Sequence, residues 1–144
     1  HLISPYFKDA IIITDEEEKL LLFKEADAAC ASSGTVTLEL GLSLTPMVVI
    51  YKLDFITWAI VSRLARVKFV SLVNLVLNKS SVTELLQNKC SPKNITKSIL
   101  ELLTNHKTTS NQKKDLLEFK NVMEDGSMTP SKRAAKTIQE ILKE

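Results

Sequence analysis

The sequence has no uncharged run long enough to cross a bilayer. The longest, Leu40 to Tyr51, falls far short of the ~20 apolar residues that a spanning helix needs. A dominant charge is missing too: the formal net charge is only +2, and the lysines are scattered along the chain. No basic run alternates with aromatics, so no nucleic-acid face is expected. Only two cysteines occur, Cys30 and Cys90, without CxxC spacing or histidine and aspartate companions. Reduced, buried thiols are therefore expected, not a metal or redox site. Internal repeats and low-complexity tracts are absent, and the N-terminus runs straight into Pro5, Lys8 and Asp9, so no signal peptide is expected. What remains is a chain of 144 residues, 44% hydrophobic and 25% charged. Those values suit one soluble or peripheral domain with a single core.

The pattern along the chain alternates strands and helices. Ala10 to Thr14 is a short β-branched apolar run that reads as a buried parallel strand. Thr14 with Glu17 forms a capping box, and Asp15, Glu16 and Glu18 suit the first turn of a helix. Leu20 to Phe23 and Ala26 are its expected inward face. Ala28 to Ser32 reads as a second strand, and Ser33-Gly34-Thr35 turns the chain into a helix reaching about Leu42. Pro46 bars its continuation, and Met47 to Tyr51 reads as a third strand. Such spacing implies an α/β fold with crossovers onto a parallel sheet. A helix over Asp54 to Arg66 and a fourth strand over Phe69 to Leu72 follow. The remainder reads as helical: a short segment from Val82 to Asn88, a helix capped by Ser91-Pro92 to about Asn105, an amphipathic one from Gln112 to Met123, and a last one from Thr129-Pro130. The polar stretch His106 to Asn111 is a candidate hinge, dividing a domain over 1–105 from a helical tail over 106–144. His106 reads as a surface residue of that hinge.

The most informative chemistry lies at Ala31 to Glu39. Small residues at the end of a parallel strand, then glycine, then a helix start leave several backbone N–H groups pointing outward. Together with the helix dipole they can seat a phosphate or diphosphate, at the sheet edge where open α/β folds bind ligands. Gly34 allows close approach, and the Ser33 and Thr35 hydroxyls can add hydrogen bonds. Glu39 lies one turn beyond Thr35 on the same face, where its carboxylate could accept from two ribose hydroxyls. Spacing alone fits an ordinary strand-to-helix turn with a solvated glutamate equally well.

The segment Ser33-Gly34-Thr35-Val36-Thr37-Leu38-Glu39, followed by Thr45-Pro46-Met47-Val48-Val49 and Tyr51-Lys52, resembles the lipid-A-disaccharide synthase family of GT-B glycosyltransferases. The likeness continues through Trp58, Arg63-Leu64, Phe69 to Leu75 and Glu84-Leu85-Leu86-Gln87, and fades after about Leu103. It implies a partial Rossmann-like sheet of a GT-B C-terminal domain followed by C-terminal helices, with Ser33, Gly34 and Thr35 holding the diphosphate of UDP and Glu39 its ribose. It also implies an active-site role for Asn74, in a stretch where Val73 replaces the family's usual proline and Asn78 a common glycine. Glu84 and Gln87 match as further site candidates, and equally suit a surface pair on a helix.

The helix expected from Asp54 carries a wide apolar arc with a basic seam at Arg63 and Arg66. It suits either a sheet-covering core helix or contact with a membrane interface through Trp58 and Arg63. The resemblance implies transfer of a diacylated glucosamine from UDP to diacylated glucosamine 1-phosphate, giving lipid A disaccharide 1-phosphate and UDP. Neither a cofactor nor a metal is implied. The expected partners are the UDP-sugar donor, the acylated acceptor, the inner-membrane surface on its cytoplasmic side, and a second copy of the chain through the C-terminal helices. The catalytic base is expected on an N-terminal domain outside this chain, so the chain alone is expected to be inactive. Two other readings stay open: a non-enzymatic module docking on a membrane or partner, and another UDP-sugar enzyme such as an epimerase.

Overall fold

The computed structural model describes residues 9–54 and 68–124. The expected helix over Asp54 to Arg66, with Trp58 and Arg63, and the one from Thr129 therefore lie almost wholly outside the described residues. Three parallel strands, β1 (Ala29–Ser32), β2 (Met47–Tyr51) and β3 (Thr83–Leu86), form one sheet in the order β1-β2-β3. Ala29 pairs with Met47 and Ser32 with Ile50, while Val48 pairs with Thr83 and Tyr51 with Leu86. The helices are α1 (Glu16–Glu25), α2 (Thr35–Leu42), α3 (Leu72–Leu77), α4 (Pro92–Thr104) and α5 (His106–Met123). No helix among the described residues is long and apolar enough to cross a membrane.

The α/β class expected from the sequence is the one observed, with layers on both faces of a parallel sheet, as buried parallel strands require. On one face, Ala31, Met47, Val49 and Val82 pack with Leu40 of α2, Val73 of α3, and Leu116 and Phe119 of α5. On the other, Val48 and Leu85 pack with Leu102, Ile95 and Ile99 of α4. Central β2 matches its expected bounds, and Met47, Val48 and Val49 are wholly buried.

Several expectations are corrected. Ala10 to Thr14 is not a strand: Ile11 is 84% exposed and no ladder reaches it. A β-branched run needs a neighbouring strand before its preference counts, and among the described residues no strand pairs with this run. Asp15, not Thr14, caps α1, accepting from Glu18 N at 2.9 Å. Asp15 has the same spacing to Glu18 as Thr14 to Glu17, and its charge adds attraction to the positive helix end. Leu20, Leu21 and Leu22 point outward, and only Phe23 of that run packs on the core. Phe69 to Leu72 is a bend running into α3, because the Val70 and Ser71 N–H groups donate to Glu84 instead of a strand.

Thr83 to Leu86 reads as helical by composition but forms β3, where pairing with β2 overrides local preference. The stretch 106–111 forms the first turns of α5, capped by Asn105, whose side chain accepts from Lys107 N and Thr108 N. Cys30 is exposed on edge strand β1 and Cys90 is half-buried, so neither is the buried core thiol expected. Partial desolvation of the Cys30 sulfur, then the neighbouring Cys90, raises its thiol pKa, which disfavours the reactive thiolate.

Helix α2 ends before Pro46 acts. Leu44, at φ 60°, donates its N–H to Gly41 O, and Thr45 N donates to Leu40 O at 3.0 Å. This paired 5→2 and 6→1 arrangement is a Schellman stop, with leucine where glycine is usual. Gly41 has a separate role. A Cβ there would sit 2.8 Å from Phe119 Cε1 and 3.1 Å from Val73 Cγ2, so the missing side chain lets α5 close on α2.

Filling that space should destabilise. Gly41→Val is expected to cost roughly 2 kcal/mol or more through overpacking. Combined with Phe119→Leu, the loss should be smaller than the sum of the two single losses, as a double-mutant cycle by thermal unfolding would show. Gln112 of α5 accepts from the buried Met47 N–H at 2.6 Å. Gln112→Leu leaves that donor unpaired, and denaturant titration should show a loss of about 1–3 kcal/mol.

Candidate functional site

The carboxyl end of β1 runs through Ser33 and Gly34 into α2. Gly34 is the N-cap residue at φ 150° and ψ −160°, a conformation side chains disfavour. No side chain caps this helix. The Thr37 N–H and its hydroxyl both donate to Gly34 O, at 3.1 and 2.7 Å, which fixes the turn from inside. Gly34 and Thr35 are exposed, so the first amides of α2 face solvent with the dipole behind them. A Cβ on Gly34 would meet nothing within 4 Å. Glycine is therefore required by its backbone angle, and the space above it is open.

Ser33 is placed differently from expectation. Its hydroxyl donates to Val70 O at 3.1 Å, so its proton is committed within the chain and only its lone pairs remain. Glu39 lies one turn along α2 from Thr35, half-buried, and pairs with Lys19 of α1 at 3.1 Å. Lys19 also bonds Glu16, and its pKa is raised by the hydrogen bond to Glu16 first and that to Glu39 second. Spacing within one helix could not reveal Lys19, because the contact joins two different helices, α1 and α2.

Asn74 is 1% exposed and its amide is fully occupied. Its nitrogen donates to Val82 O at 2.8 Å and to Glu84 Oε1 at 2.9 Å, and its oxygen accepts from Ser81 N and Val82 N at 2.8 and 2.9 Å. That exhausts the two donors and two acceptor positions of an amide, leaving nothing for a sugar or phosphate. Glu84 also accepts from Val70 N at 3.0 Å, Ser71 N at 2.9 Å and the Ser71 hydroxyl at 2.8 Å. Gln87, at φ 48°, lays its amide against the backbone of Leu53; with the amide oxygen and nitrogen exchanged, the nitrogen would donate to Leu53 O at 3.1 Å and the oxygen accept from Leu53 N at 3.2 Å. The structure thus gathers Ser33, Gly34, Thr35 and Glu39 at one turn, with Asn74 and Glu84 behind the loop that touches Ser33. Trp58 and Arg63 lie outside the described residues.

A parallel α/β sheet whose first strand passes through a glycine turn into an uncapped helix defines a partial Rossmann-like domain. The particular family follows from comparison. A profile of the lipid-A-disaccharide synthetase family matches residues 5–138. The lipid-A-disaccharide synthase of Nitrobacter hamburgensis is 36% identical over 131 residues, covering 91% of this chain and 33% of that protein. That of Bradyrhizobium diazoefficiens is 38% identical over 127 residues, covering 88% and 32%. That of Rickettsia felis is 34% identical over 148 residues, covering 99% and 37%. The chain belongs to the lipid-A-disaccharide synthetase family and spans about a third of the length of these relatives.

Because Gly34 is constrained by its backbone and not by neighbours, Gly34→Ala should act through strain alone. A loss of about 1–3 kcal/mol is expected in thermal unfolding, with no relief from trimming any adjacent side chain.

Proposed function

We propose that this domain holds the UDP part of an acylated UDP-glucosamine donor, in an enzyme that joins it to an acylated glucosamine 1-phosphate acceptor. The observation that carries this reading is the uncapped start of α2 at Gly34 and Thr35, with Glu39 on the same face. Exposed amides and a positive helix end suit a diphosphate. They also suit catalysis. As the acceptor hydroxyl oxygen bonds to the sugar carbon, the bond to the diphosphate breaks, and negative charge grows where those amides point. The proton of the acceptor hydroxyl must pass to a base, which we assign to another part of the full-length protein. The products are lipid A disaccharide 1-phosphate and UDP.

Within this reading the roles divide. Backbone amides and the Thr35 hydroxyl donate to the diphosphate, and Glu39 accepts from the ribose. Asn74, expected from the sequence as a catalytic contact, becomes a positioning residue, because its amide is spent on Val82, Ser81 and Glu84. Binding requires Glu39 to share its carboxylate between Lys19 and the ribose, which two oxygens allow. Contact with acyl chains or the inner-membrane surface through Trp58 and Arg63, and pairing of two copies through the C-terminal helices over 106–144, belong to the same proposal and rest on sequence alone.

The ribose contact separates this reading from a non-specific anion seat. The full-length protein should bind UDP more tightly than 2′-deoxy-UDP by roughly tenfold, the scale of one charge-assisted hydrogen bond. Glu39→Ala should abolish that preference while retaining residual affinity for both. Calorimetric titration checks this, and equal affinity of the unaltered protein for the two nucleotides would remove Glu39 from the site.

A further inference from the structure

We propose that Glu84 is a positioning residue for the nucleotide turn, acting on Ser33 through the single peptide group that joins Val70 to Ser71. This rests on the UDP-binding reading and adds to it a control element more than forty residues away in sequence. The relay is short. Glu84 Oε1 accepts from Ser71 N at 2.9 Å, and the carbonyl of that same peptide unit, Val70 O, accepts from the Ser33 hydroxyl at 3.1 Å. A carboxylate pulling on the N–H of a peptide increases the negative character of its C=O, so the two bonds reinforce each other.

The carboxylate is held by every group around it. Val70 N, Ser71 N, the Ser71 hydroxyl and the Asn74 amide all donate to it. Asn74 in turn fixes the chain entering β3 through Ser81 and Val82. Glu84, carried by β3, is therefore clamped by the bend at Val70 and Ser71 and by Asn74 of α3, and the 68–71 loop cannot shift without breaking charge-assisted bonds. Through Ser33 the same clamp reaches the residue before Gly34. Because Ser33 spends its proton on Val70 O, its contribution to ligand affinity is positional: it sets where the amides of the turn point.

A residue that acts only through Ser33 has a signature that a general fold stabiliser lacks. The experiment uses the full-length protein, with UDP as the probe, and the variants Glu84→Gln, Ser33→Ala and their combination. Glutamine keeps one acceptor but turns an NH2 group toward donors, breaking the clamp. Each single variant should weaken UDP binding about tenfold, and the double variant should bind no worse than either single. Donor KM should rise in all three while kcat changes less. Additive losses would show that Ser33 and Glu84 act independently, and unchanged affinity in Glu84→Gln would show that the clamp does not reach the turn; either overturns the proposal. If Glu84→Gln does not fold, the Ser71 amide proton decides it. In the unaltered protein its resonance should lie far downfield, as for an N–H bonded to a carboxylate, and Ser33→Ala should move it upfield. A Ser71 signal indifferent to Ser33→Ala rejects the relay. Failure of the unaltered protein to bind UDP, by contrast, counts against the UDP-binding reading itself.

Discussion

A parallel strand buried on both faces has no water to fall back on, and β2 is such a strand. Met47, Val48 and Val49 have no exposed surface, so every N–H and C=O of these three residues must find a partner inside the protein. Its flanks are served by β1 and β3. Its ends are finished by side chains. Gln112 of α5 accepts from Met47 N at the start, and the Gln87 amide lies against the backbone of Leu53 just past the finish. Much else follows from meeting this requirement. Helix α5 must lie where Gln112 reaches the sheet, which brings Leu116 and Phe119 over the core and leaves room at residue 41 for glycine only.

The same constraint places the candidate edge. All three strands run in one direction, so their carboxyl ends emerge together, and loops leaving them share one rim. The turn at Gly34 leaves β1 there, and the 68–71 loop is drawn to it by Ser33 and Glu84. An exposed helix start is stabilising only if something supports its geometry, since no side chain caps α2. Here the support comes from below: Thr37 holds Gly34 O, and Ser33 holds Val70 O. The face toward solvent is left with amides, one hydroxyl and one carboxylate.

Those parts of the fold that depend on local chemistry were legible in the sequence. The apolar run at Met47 to Tyr51, the Ser91-Pro92 cap of α4 and the Ser33-Gly34-Thr35 turn each carry their signal within a few residues. Where the partner is remote, legibility ends. Thr83 to Leu86 forms β3 because β2 lies beside it, and Ile11 and Ile12 form no strand because no strand among the described residues pairs with them. The 106–111 stretch looks like a break by composition, yet Asn105 caps it into α5. For the candidate site the division is the same. Gly34, Thr35 and Glu39 share one turn and one helix face, so spacing finds them. Lys19, Val70 and the internal role of Glu84 arise from contacts between elements that no spacing encodes.

Asn74 matches a family motif, and its amide is engaged wholly within the chain. An amide in an active site needs at least one free donor or acceptor, and this one has none: each position is filled at 2.8–2.9 Å. Breaking one of these bonds to reach a ligand would leave a buried backbone group or part of the Glu84 carboxylate unpaired, at a cost of about 1–3 kcal/mol or more. A single new hydrogen bond to substrate returns no more than that, so the exchange has no driving force. The motif residues thus separate by burial. Gly34 and Thr35 at the turn are exposed, and Asn74 and Glu84 beneath it are engaged with the chain.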